Sequence, residues 1–177
     1  MEIFRRALSW IFQPASPAPA ASPAAPAPAP RDHERQQLRA TARVIAMAAL
    51  SDGDQASAEL SEARAASQKV PILGALRDSA FDALLKEAFA KLASEGEGAS
   101  MAFVAGILEN DESRARAFGL AAAVVLADRE LREAEGAFLD RLRVSLSIPE
   151  EEAQQAIREV SERLSIPLSE VASPAEG

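Results

Sequence analysis

Six carboxylates stand at one repeated spacing. Asp52, Asp54 and Glu59 return as Asp128, Glu130 and Glu135 at an offset of 76 (52 to 128, 54 to 130, 59 to 135). Pooled carboxylate oxygens suit hard divalent cations such as Ca²⁺ or Mg²⁺, so the chemistry open to this set is cation binding or attraction of a basic protein. Neither turn has the EF-hand pattern, which needs oxygens at positions 1, 3, 5 and 12 and Gly at 6. The plainer reading is that these acids close one helix and open the next while facing water. A carboxylate in a first helical turn is favoured by the helix dipole and needs no ligand. A joint cation site requires the two turns to be adjacent in space.

Other chemistry has little to work with. His33 is the sole histidine and there is no cysteine, which excludes disulfides, thiolate metal sites and Cys–His nucleophilic chemistry. A lone His in the charged run Arg31-Asp32-His33-Glu34-Arg35 is expected to be solvated. No Gly-x-Ser-x-Gly elbow occurs, and Gly96-Glu97-Gly98 is acidic where a phosphate cradle would need to be neutral or basic. No catalytic residue is expected. The chain reads as a non-enzyme with no required cofactor, a divalent cation being the one candidate.

The elements that must position the carboxylates are helices. Apolar residues make up 48% of the 177 residues, but only 5% are aromatic and Tyr is absent. An Ala- and Leu-rich mix favours helix over strand, so the fold class is all-α, with enough chain for one core. No apolar run approaches the roughly 20 residues that span a bilayer. Arg5 and Arg6 against Glu2 leave residues 1–30 one unit positive, so residues 31–177 carry −9 of the total −8. Such an acidic domain repels phosphate backbones, and nucleic acid is excluded as an expected partner.

Three segments follow along the chain. Residues 1–13 (MEIFRRALSWIFQ) place Ile3, Phe4, Ala7, Leu8 and Ile11 on one helical stripe, joined by Trp10 and Phe12, with Arg5 and Arg6 between. A helix of about three turns is unstable alone in water, so this one is a docking element. A membrane surface suits Trp10, although each arginine adds only about 1 kcal/mol toward anionic lipid. A protein groove suits Phe4, Leu8 and Ile11 or Phe12 as anchors. These two stand level, with folding back onto the chain's own domain behind both. A secretory signal is the weaker reading, because Ala7–Phe12 is short for its apolar region. Residues 14–30 hold seven prolines among Ala and Ser and form a linker without a core. Fully extended, it reaches on the order of 50 Å.

Residues 31–168 form the folded domain, and 169–177 a disordered tail. Helices are expected over 31–51, 57–69, 78–93, 100–108, 111–126, 130–146 and from Pro149 to about Leu164. Gly96 and Gly98 break the chain between the third and fourth. Phe118–Leu126 (FGLAAAVVL) is apolar nearly all round, as a central buried helix is. Ser147-Ile148-Pro149-Glu150 reads as a helix start, with a capping turn, Pro near the first position and acids in the first turn.

The repeat joins Ala48-Ala49-Leu50-Ser51-Asp52-Gly53-Asp54 with Glu59 to Val124-Val125-Leu126-Ala127-Asp128-Arg129-Glu130 with Glu135. These residues, with Leu146-Ser147-Ile148-Pro149-Glu150-Glu151-Glu152, resemble the TerB-like family, the helical domain associated with tellurite resistance. The resemblance covers about residues 35–165. It implies a compact bundle of about seven helices in two pseudo-symmetric halves, with an acidic metal or partner surface around the two turns and a stress-response context. The chain departs from that pattern at Arg129, in place of Gly, and at Ala56 and Arg132, where a capping Ser or Asp is expected. Arg129 can pair with the local acids in place of a metal.

The expected function is a non-catalytic adaptor, cytoplasmic and held peripherally at the inner membrane or in a protein assembly by residues 1–13. Its acidic face is offered to a divalent cation or a basic protein. An alternative is cargo for a bacterial microcompartment shell, with residues 1–13 as an encapsulation peptide. An enzyme stands last.

Overall fold

The computed structural model describes residues 6, 9, 11, 32–51, 79–128 and 131–164. Among the described residues the protein is all-α, with five helices and no strand. They are α1 (Asp32–Ala49), α2 (Ser79–Ile107), α3 (Asp111–Val125), α4 (Glu133–Ser145) and α5 (Glu150–Arg163), with a single 3₁₀ turn, Leu126–Asp128, after α3. Arg6, Ser9 and Ile11 are also helical. The helix expected over 57–69 and the tail from Ser165 lie outside the described residues.

The apolar stretch before the second acid turn makes the centre. In α3, Ala115 and every residue from Ala117 to Val125 are buried. This helix packs against α1, α4 and α5, and α1 also lies along α2. Four small residues, Gly119 and Ala121 to Ala123, let neighbouring helices come close, while Phe118 and Leu120 supply the bulk. Phe138 and Leu142 of α4 and Val44 and Ile45 of α1 complete the core beside them. Each large side chain buried this way contributes about 1.5–3 kcal/mol. Asn110 starts α3, its Oδ1 accepting the Ser113 amide at 2.8 Å, and Asp111 and Glu112 fill the acidic first turn.

Two backbone positions shape the bundle. The expected break falls inside α2 at Gly96, with φ 83° and ψ 169°, a conformation essentially restricted to glycine. It separates an arm ending at Glu95 from one beginning at Glu97. The second position corrects the sequence reading. Ser147 closes α4 rather than opening α5. It adopts φ 56°, and the Ile148 amide donates to the Arg143 carbonyl at 3.0 Å. That is a Schellman closure, with Ile148 buried as its apolar seal. Pro149 then caps α5 without a side-chain hydrogen bond, and Glu150, Glu151 and Glu152 follow in the first turn.

Candidate functional site

The structure places the six repeat carboxylates unevenly. Asp52, Asp54, Glu59 and Glu130 lie outside the described residues, as do Ala56 and Arg129. Asp128 ends the 3₁₀ turn, and only its backbone is described. Glu135 is described in full and is occupied. It sits at the third position of α4, buried, with Oε2 accepting the Arg132 amide at 2.7 Å. That bond satisfies one of the donors a helix start leaves open, which is the structural role expected of a first-turn acid. Among the described residues, no group of three or more His, Asp or Glu side chains is placed to hold a metal ion.

Of the docking helix, Ile3, Phe4, Arg5, Leu8, Trp10 and Phe12 lie outside the described residues, and Arg6 and Ile11 are placed. Ile11 is fully buried in the hydrophobic core. Arg6 is exposed, with Nε 4.0 Å from Glu112 Oε1 at the start of α3, a contact of small worth at such exposure. At these two residues the structure has the reading placed last, packing on the chain's own bundle. The physical reason is that an apolar side chain of this size is worth burying wherever a site exists. A long tether adds little to the cost, since loop-closure entropy grows only logarithmically with length. His33 is exposed, with Nε2 3.0 Å from Gln37 Nε2. Among the described residues, no helix is long and apolar enough to cross a membrane.

The structure also assembles a site from residues the sequence reading left as ordinary helix faces. Arg39 and Arg43 on α1, Leu84, Glu87 and Lys91 on the first arm of α2, and Phe103 on the second arm line a cavity of about 220 Å³. Arg43 is its best-held member. The guanidinium lies 4.3 Å from the Phe103 ring centroid, donates to Glu95 Oε2 at 3.0 Å and approaches the buried Ser100 hydroxyl at 3.5 Å. Lys91 donates to the other Glu95 oxygen at 2.7 Å. These two cations, Lys91 first, hold the Glu95 carboxyl below its ordinary value of 4.5. Arg39 Nε stands 3.7 Å from Glu87. On the far side of Gly96, Arg141 of α4 grips both oxygens of Glu97 at 2.7 and 3.2 Å. Residues 84, 87 and 91 repeat at helical spacing, as do 36, 39 and 43, and that is the only local trace of the cavity. Its assembly depends on how α1 lies along α2.

No family model, curated protein or solved structure matches this chain.

Proposed function

We propose that this protein is a non-catalytic adaptor, a TerB-like bundle of about seven helices in two pseudo-symmetric halves addressed by residues 1–13. The observation that carries the reading is the burial of Ile11 among protein side chains. A residue of the N-terminal stripe is thereby used as an anchor in an apolar protein site, which favours a protein assembly over lipid as the external partner. The 17-residue linker then lets the helix leave its home site for a partner's groove while the bundle stays intact, over a reach on the order of 50 Å. The remaining acids of the two turns, Asp52, Asp54, Glu59, Asp128 and Glu130, present the face for a basic protein or a divalent cation. A part in a tellurite-type stress response rests on the resemblance alone.

The test is localisation of the full chain and of a chain lacking residues 1–13, each carrying a C-terminal fluorescent protein. Interior foci that disperse on deletion support the address to a protein assembly, and a peripheral signal that disperses transfers it to a membrane. Identical distributions of the two chains overturn the address and leave residues 1–13 as a part of the bundle.

A further inference from the structure

We propose that the cavity between α1 and the two arms of α2 is a docking groove for an acidic amphipathic peptide segment of a partner protein. Neither Ile11 nor Glu135 is among its lining residues, and the proposal does not rest on the N-terminal address or on the acid turns.

Charge carries the argument first. Three cations, Arg39, Arg43 and Lys91, line the groove with one carboxylate, Glu87. Glu95 lies beside it and is shared between Lys91 and Arg43. Among the described residues, two carboxylates therefore serve three cations, leaving a positive surplus there on a chain whose net charge is −8. The surplus is also available. The Arg39 and Lys91 side chains are about half exposed, and the Arg39–Glu87 pair is long at 3.7 Å. Surface pairs of this kind exchange partners at little cost, so an incoming carboxylate can take up Arg39 or Lys91 without breaking the fold. Arg43 is different, because Phe103 and Glu95 fix it in place, and it acts as a rigid positive wall.

Shape carries the argument second. Leu84, Phe103 and Ile107 are only partly buried against the core and form an apolar floor. The lining runs from Gln36 to Arg43, two turns of α1 or about 10 Å. At about 220 Å³ the space is smaller than the roughly 300–1,000 Å³ of small-molecule pockets. It suits one or two apolar anchors of a helix laid along it, with carboxylates one turn away facing Arg39 and Lys91.

The test uses the full chain and a fluorescein-labelled synthetic helix of 14 residues carrying Leu at i and i+4 with Glu at the flanking positions. Binding is read by anisotropy and located by amide chemical shifts. The expected result is saturable binding that weakens with salt, with shifts at Lys91, Phe103 and Ile107. Arg39→Glu with Lys91→Glu should weaken it about 10-fold or more. Both side chains are exposed, so the variant is expected to keep its fold, which circular dichroism checks. A peptide with Lys in place of Glu should not bind. Absence of binding by the acidic peptide, equal binding by the Lys peptide, or an unchanged affinity in the double variant overturns the proposal. So does octanoate displacing the peptide at equal concentration, which would make the groove a site for small carboxylates.

Discussion

The Arg43 guanidinium lies 4.3 Å from the Phe103 ring centroid while its NH1 donates to Glu95 at 3.0 Å. One side chain of α1 therefore holds both arms of α2, one on each side of Gly96. Arg43→Ala should cost about 1–3 kcal/mol in urea unfolding, combining the loss of a charge-assisted bond and a stacked cation. Arg43→Lys should recover only part of that loss, since an ammonium cannot reproduce the planar stack. Equal stability of the alanine variant and the parent would show that the contact is not coupled to folding.

Glu95 gives the bundle a component of acid sensitivity. Its folded carboxyl is held below the ordinary 4.5 by Lys91 and then Arg43, so in the window below 4.5 the unfolded chain binds the proton more readily. Stability then rises with pH across that window. The contribution is present above 4.5 and is lost as pH falls through the lower folded value. Glu95→Gln should flatten this part of the stability–pH profile in urea titrations between pH 5 and about 2.5. An unchanged slope would assign the acid sensitivity to other carboxylates.

Gly96 and Ser147 make an opposed pair of backbone predictions. Among the described residues, no atom beyond the local backbone lies within 4 Å of a Cβ placed at Gly96, so crowding there is no obstacle; the obstacle is φ 83°. Gly96→Ala should destabilise by about 1–3 kcal/mol. Ser147 pays the same kind of conformational cost at φ 56°, and Ser147→Gly should stabilise by about 1 kcal/mol. Thermal melts of the two variants should move in opposite directions.

Much of the architecture was legible before the structure, and the exceptions have physical reasons. Phe118–Leu126 announced itself as the centre because it has no polar face, and Glu95-Gly96-Glu97-Gly98 announced a break. What the break is fastened to was not legible. Arg43 and Arg141 reach Glu95 and Glu97 from 52 and 44 residues away, and long-range ion pairs leave no periodic trace. Ser147 closes α4 although its sequence reads as part of a helix start, because serine serves equally well at a helix start and in a polar turn. The N-terminal stripe was legible, but the burial of Ile11 was not, because the core that takes it up is assembled from helices distant in sequence.

Glu135 separates a cap from a ligand. Glu135→Ala should lose about 1 kcal/mol of stability, with Glu135→Gln losing less because an amide oxygen still accepts the Arg132 amide. If the acid turns also take a cation, calorimetric titration of the full chain with Ca²⁺ or Mg²⁺ should show binding that Asp52→Asn with Asp54→Asn abolishes. No heat with either ion removes the cation and leaves the face to a basic protein.

Ile11→Ala should cost about 2 kcal/mol or more for a side chain this deeply placed. The loss is capped by the free energy with which the N-terminal helix holds to the bundle, because beyond that point the helix simply lets go. Hydrogen exchange should show the excess opening confined to the neighbours of Ile11. Arg6→Ala should change stability by no more than about 0.5 kcal/mol.

The burial of Ile11 also makes the bundle a gauge of its own occupancy. If a partner captures residues 1–13 as proposed, home docking and capture compete for Ile11 and form a closed thermodynamic cycle, so whatever the bundle loses on release is subtracted from what the partner gains. A free peptide of residues 1–13 should therefore bind such a partner more tightly than the whole chain does, by the factor that describes the home equilibrium. The released bundle should melt earlier by the corresponding amount, so that a shift in melting temperature reports where the N-terminal helix resides.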